Sequence, residues 1–125
     1  MKIVHFEDDE FLNNMYHAKF VGCGFEYKGF INPADSEDEF IDEVINEKPD
    51  LIITDINHKN LNGFRMLEIL KEDSRTKDIP VVIMTNMSQE EDQERAKELG
   101  AADYIIKAQV VPKEVVEKIK EIIKE

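Results

Sequence analysis

Glu7, Asp8, Asp9 and Glu10 follow one another directly after the apolar run Ile3 to Phe6, and Asp55 closely follows a second run, Leu51 to Ile53. Carboxylates brought together at neighbouring strand ends repel by about 4 kcal/mol per pair at ~4 Å and an effective dielectric of about 20. Such a group either holds a proton or binds a cation. Hard oxygen donors suit Mg2+, which keeps several waters and commonly bridges one or two carboxylates to a phosphate. Two further runs end in Thr85 and in Lys107. A lysine ammonium can neutralise one phosphoryl oxygen and a threonine hydroxyl can hydrogen-bond another, as in-line phosphoryl transfer requires. On this chemistry Asp55 is the candidate nucleophile.

These residues meet only if the runs that carry them lie side by side. Five short apolar runs, Ile3 to Phe6, Phe25 to Tyr27, Leu51 to Ile53, Val81 to Met84 and Tyr104 to Ile106, alternate with five longer segments of helical period. That alternation predicts an α/β fold with a doubly wound parallel five-stranded sheet. The first, third and fourth runs are nearly continuous, as strands covered on both faces must be. In the second, Phe25 and Tyr27 alternate with Glu26 and Lys28, which places it at an edge, so the expected order is 2-1-3-4-5. In such a sheet, ligands bind beyond the carboxyl ends of the strands near the point where strand order reverses.

Helical stripes are read at Phe11, Met15 and Ala18, at Phe40, Ile41, Val44 and Ile45, at Phe64, Leu67 and Leu70, and at Val115, Val116, Ile119, Ile122 and Ile123. The fourth helix is the weak one. Ser88 and Glu91 are expected to open it as a capping box and Gly100 to close it, but only Ala96 and Leu99 within it are apolar. Pro112 suits the first position of the last helix, after Val111, a poor cap. Cys23, Phe11, Met15 and Met66 are assigned to packing, Asp9 and Glu10 to a helix start. His5 is assigned to the core as a neutral histidine and His58 to the surface.

With 125 residues, one domain spanning 1–125 with no output domain is expected. Twenty-eight acidic against sixteen basic side chains give a net charge of −12, which disfavours direct nucleic-acid binding and anionic membrane surfaces. The apolar share of 42% is too high for a disordered acidic chain, and no run approaches the ~20 residues needed to cross a bilayer. A single cysteine forms no internal disulfide, and Met-Lys-Ile-Val-His lacks a secretory profile, so a cytoplasmic location is expected.

Taken together, Phe6-Glu7-Asp8-Asp9-Glu10, Asp55-Ile-Asn-His-Lys-Asn-Leu-Asn-Gly63, Met84-Thr85-Asn86 and Asp103-Tyr-Ile-Ile-Lys107 resemble, in order and across the whole chain, the four motifs of response-regulator receiver domains of two-component signalling. The likeness is to chemotaxis-type single-domain receivers. It implies a flavodoxin-like (βα)5 fold and a signalling phosphoacceptor rather than an enzyme. Asp55 would take a phosphoryl group from a sensor histidine kinase or phosphotransfer protein. Mg2+ would be held by Asp8, Asp55 and the Asn57 carbonyl, with Glu7 acting through a metal-bound water. Lys107 would contact the phosphoryl group, while Thr85 and Tyr104 would switch the face of the fourth helix, fifth strand and fifth helix toward a downstream protein or a homodimer.

Three positions depart from that pattern. Lys59 and Ala108 stand where proline is common, and Asn86 where a small residue usually follows the threonine. The bond before residue 108 is often cis in the family, yet cis without proline costs ~2.5–4 kcal/mol, so a trans bond is equally admissible. Asn86 narrows the entrance beside Asp55 and is expected to alter the dephosphorylation rate. A magnesium-dependent aspartyl-nucleophile phosphatase is the enzymatic alternative, but Asn57 stands where its general acid would be. An unphosphorylated receiver-like scaffold is the other alternative. A flavin or nucleotide carrier fits poorly, because carboxylates replace a glycine-rich phosphate loop.

Overall fold

The computed structural model describes residues 1–124. Its elements are β1 (Lys2–Phe6), α1 (Glu10–Gly22), β2 (Glu26–Phe30), α2 (Glu37–Glu47), β3 (Leu51–Thr54), α3 (Gly63–Glu72), β4 (Val81–Thr85), α4 (Glu90–Glu98), β5 (Asp103–Ile106) and α5 (Pro112–Ile122). The strands form one parallel sheet in the order β2-β1-β3-β4-β5, the flavodoxin-like arrangement. Alternate residues of the buried strands feed two cores. Val4, Phe6, Ile52, Val81 and Ile83 pack with α2, α3 and Ala96 of α4, while Ile3, Leu51, Ile53, Val82, Met84 and Ile105 pack with α1 and α5. Each such side chain, fully buried, contributes roughly 1.5–3 kcal/mol to holding a helix on the sheet.

Register is what assembles the functional rim. Phe6 pairs with Thr54, Thr54 with Ile83, and Thr85 with Ile106. Glu7, Asp55 and Lys107 therefore each occupy the first position beyond a strand, at the same sheet edge.

Several sequence expectations need correction. Phe25 precedes β2 instead of opening it: its N–H donates to the Phe20 carbonyl, and its ring packs edge-on against Phe20 at 5.6 Å. The strand extends instead through Gly29 and Phe30. On α1 the buried residues are Asn13, Tyr16 and Phe20, whereas Phe11 is 77% exposed, Ala18 is exposed and Met15 is half-buried. Cys23 is exposed, so neither it nor Phe11 is a core residue, although Met66 is. Ser88 does not cap α4. Gln89 does so by backbone position alone, with no side-chain bond, because the helix starts one residue later than a Ser88 cap requires. α5 does begin at Pro112, and the missing cap at Val111 is partly replaced by the Glu114 carboxylate, which accepts the Val111 N–H at 2.9 Å. The helix ends at Ile122, one residue short of the stripe read to Ile123. No cis peptide occurs among those described, so Lys107–Ala108 is trans, and Lys107–Gln109 continue as a 3-10 turn.

Candidate functional site

Glu7 is held from all sides. Its N–H donates to the Phe30 carbonyl at 2.9 Å, and its own carbonyl accepts from Asn13 Nδ2 at 3.0 Å. One carboxylate oxygen, Oε2, accepts the Asp9 N–H at 2.9 Å. The other, Oε1, lies 2.5 Å from Lys107 Nζ, an ion pair without hydrogen-bond alignment. The side chain is 1% exposed. Asp8, next in sequence, is exposed, and Asp9 caps α1 by accepting the Leu12 N–H at 3.1 Å.

Asp55 leaves β3 with Oδ1 accepting the N–H of Ile56 at 2.6 Å and Oδ2 accepting Lys107 Nζ at 2.7 Å. The turn behind it is tight. A Cβ on Gly63 would lie 2.3 Å from the Asp55 carbonyl oxygen and 2.6 Å from the Ile56 Cα, so only glycine lets α3 start this close. Thr85 is buried at the end of β4, its hydroxyl accepting the Met87 N–H at 3.3 Å. Tyr104 is half-buried on β5 and donates its hydroxyl to the Met87 carbonyl at 2.6 Å. Asp8, Asp55, Asn57, Thr85, Asn86 and Met87 line an open cleft of about 360 Å3. Asn57 is exposed there, its side-chain amide 3.6 Å from Met87 Sδ.

Each of Glu7, Asp8 and Asp55 offers a carboxylate oxygen within 4.8 Å of the others. Three carboxylates face one ammonium, two of them and the ammonium largely buried. Burial raises the Glu7 carboxyl above its ordinary range, and the contact with Lys107 only partly offsets this. Burial also acts to raise Asp55, but hydrogen bonds from Lys107 and from Thr85 outweigh it and hold the acid below its usual range. For Lys107, burial alone would favour loss of the proton, and the hydrogen bond to Asp55 with the ion pair to Glu7 reverses that, leaving it firmly cationic. The donors are all hard oxygens, and one of the three carboxylates reaches solvent. That composition fits Mg2+, which Glu7, Asp8 and Asp55 would hold.

Of the residues singled out in the sequence, Glu7, Asp8, Asp55 and Lys107 are brought together, Thr85 and Asn57 share their cleft, and Tyr104 lies one layer behind. His5 is the neutral core histidine expected: it is 1% exposed, burial depresses its pKa to about 3, and Nδ1 lies 2.9 Å from the Tyr27 hydroxyl. His58 is not a surface residue. It is half-buried, with Nε2 3.0 Å from Thr54 Oγ1 and Nδ1 enclosed without a partner, and burial lowers its pKa. Sequence reasoning missed Asn13, Tyr27 and Gly29 beneath Glu7, and the Met87 backbone that joins Thr85 to Tyr104. Gly29 carried a usable signal, since a glycine inside a strand marks a close approach.

Comparison with known proteins finds relatives in sequence and in fold. The profile of the "Response regulator receiver domain" matches residues 5–120. The phosphate regulon transcriptional regulatory protein PhoB of Escherichia coli is 40% identical over 103 residues, 79% of this chain and 43% of PhoB, so the chain spans less than half the length of that relative. Protein PilH of Pseudomonas aeruginosa is 44% identical over 61 residues, 49% of this chain and 50% of PilH. A two-component response regulator from Clostridium difficile shares the fold with a TM-score of 0.86 at 21% identity, over 100% of this chain and 97% of that one.

Proposed function

The chain belongs to the response regulator receiver domain family, and from that premise we propose that it is a cytoplasmic phosphoacceptor in a two-component relay, with Asp55 as the residue phosphorylated. The observation that carries this reading is the Lys107 ammonium placed between Glu7 and Asp55, 2.5 and 2.7 Å from their carboxylates, at the end of the central strands.

An Asp55 carboxylate oxygen attacks phosphorus in line with the phosphorus–nitrogen bond of a phosphohistidine on a sensor kinase or phosphotransfer protein. The new oxygen–phosphorus bond forms as that bond breaks, and the imidazole leaves with the electron pair. Asp55 is held ionised for this step by Lys107 and oriented by the Ile56 N–H. Lys107 is already within reach of Asp55 Oδ2, and its ammonium shifts to a phosphoryl oxygen as charge moves there. Mg2+ at Glu7, Asp8, Asp55 and the Asn57 carbonyl would neutralise the other phosphoryl oxygens. Thr85 turns its hydroxyl from the Met87 N–H toward the phosphate. Tyr104 then gives up the Met87 carbonyl and turns inward, changing the face formed by α4, β5 and α5 that binds a downstream protein or a second copy. Little resists this on α4, where Ala96 is the one buried side chain and Arg95 stacks on Phe64 at 4.3 Å. The negative surface argues for a protein target rather than nucleic acid.

Incubation with Mg2+ and acetyl phosphate tests the reading. An acid-stable, base-labile adduct of one phosphoryl group, absent in Asp55→Asn, is expected. Steady turnover of a small phosphate ester would favour the phosphatase alternative, and target binding unchanged by Asp55→Asn would favour the scaffold.

A further inference from the structure

Beneath the acidic rim lies a chain of buried polar groups for which phosphoryl transfer has no direct use. Asn13, one turn into α1, is 7% exposed. Its Nδ2 donates to the carbonyls of Glu7 at 3.0 Å and Phe30 at 3.3 Å, and its Oδ1 accepts from the Tyr27 hydroxyl at 2.9 Å. Because the single Tyr27 proton is used on Asn13, His5 Nδ1 must be the donor to Tyr27, also at 2.9 Å. Every bond in the series therefore points one way, from His5 through Tyr27 and Asn13 to the Glu7 carbonyl. This also fixes the carboxamide, since its nitrogen faces two carbonyls and its oxygen a hydroxyl.

Space for that carboxamide exists only because residue 29 is glycine. A Cβ there would sit 1.9 Å from Asn13 Oδ1 and 2.8 Å from its Cγ. Glycine inside a strand costs conformational entropy and supplies no packing, so the recess runs against local preference. With the Glu7 N–H bound to Phe30 and its carbonyl bound to Asn13, both sides of the Glu7 backbone are fixed, and from that fixed base its carboxylate meets the Asp9 N–H and Lys107.

We propose that Asn13, seated in the recess that Gly29 leaves, is a positioning residue that aims Glu7 at the cation site. This rests on the reading of Glu7, Asp8 and Asp55 as the groups that hold a divalent ion. Partners that orient a ligand typically cost 10–100-fold in metal affinity when lost.

The test is a Mn2+ titration of the intact chain, with free ion read from its paramagnetic resonance signal and urea stability measured in parallel with chelator present. Asn13→Leu keeps the branched heavy-atom skeleton, with bulkier methyl ends, but removes both the donor and the acceptor. Gly29→Ala keeps Asn13 and displaces only the far end of its side chain, so it decides the matter if the first variant does not fold. Both are expected to weaken Mn2+ binding by roughly tenfold or more. Ile119→Val, a core change beneath α5, is expected to lower stability and leave the affinity unchanged. Unchanged Mn2+ binding in a folded Asn13→Leu or Gly29→Ala protein would overturn the positioning role alone. Wild-type protein whose Mn2+ binding is indifferent to Asp8→Asn would overturn the cation site, and the positioning role with it.

Discussion

Replacing Lys107 by methionine removes the only ammonium that touches the carboxylate group among the described residues, while keeping an apolar stem of similar length. In the native protein Lys107 is 14% exposed in its side chain, Glu7 1% and Asp55 12%. The change leaves two largely buried carboxylates without their shared cation, with Asp8 also within 4.8 Å. At that separation and an effective dielectric of about 20, each like-charged pair costs roughly 3 kcal/mol. Breaking a buried ion pair from one side typically costs ~3–5 kcal/mol. Glu7 limits the loss, because its pKa is already raised by burial and rises further without Lys107, so it can take up a proton. Asp55 keeps the Ile56 N–H and an open cleft. The expected loss is therefore near the lower bound, about 3 kcal/mol at pH 8 with chelator, a large part of the ~5–15 kcal/mol typical of a domain. Urea denaturation reads this as a midpoint lowered by about 1.5 M if the slope is ~2 kcal/mol per molar. A carboxyl whose folded pKa is raised gives stability that is lost as pH rises through that value, so the variant should recover stability as pH is lowered from 8 toward the raised Glu7 range. Mg2+ should also recover part of it. A loss below about 1 kcal/mol, or one that does not shrink as pH is lowered, would show that Lys107 does not neutralise this group.

Gly63→Ala should destabilise by about 1–3 kcal/mol in the same assay and slow phosphorylation, because its Cβ meets backbone at Asp55 and Ile56 instead of a movable side chain. An unaltered protein would mean the turn is slack. His5 stays neutral when folded and titrates at 6.5 when unfolded, so the unfolded chain binds the extra proton and stability should fall as pH drops below about 6.5. The His5 share is at most ~1.4 kcal/mol per pH unit, read as the difference in slope between wild type and His5→Phe; equal slopes would refute it. Asn86, exposed on the cleft beside Asp55, is expected to set access of water to the acyl phosphate, so Asn86→Ala should change the lifetime of phosphorylated protein. An unchanged lifetime in a decay assay removes that role.

Much of the site could be read from the sequence for a physical reason: in a parallel sheet with short buried strands, the residue after each apolar run must emerge at one edge. Glu7, Asp55 and Lys107 each sit at such a position, so identifying the runs sufficed to bring them together. Where helical period was ambiguous, the reading failed. Residues 10–22 carry two apolar stripes: of Phe11, Met15 and Ala18 only Met15 packs against the core, partly buried, while Tyr16 and Phe20 are the buried pair. No hydrophobic pattern could place Asn13 inside, because its burial is enforced by hydrogen bonds to groups on other elements. Gly29 and Phe30 fell outside the expected second strand, since glycine argues against a strand unless the contact that needs it is known. His58 is likewise drawn in by a polar contact, with Thr54 at the end of β3, that no hydrophobic pattern marks.

Borohydride reduction of protein treated with acetyl phosphate and Mg2+, followed by peptide sequencing in the mass spectrometer, locates an acyl phosphate by converting the modified aspartate to homoserine. Homoserine at position 55, formed only when the divalent ion is present, is the expected result. Homoserine at another carboxylate, or unmodified Asp55 after every phosphodonor, would contradict it.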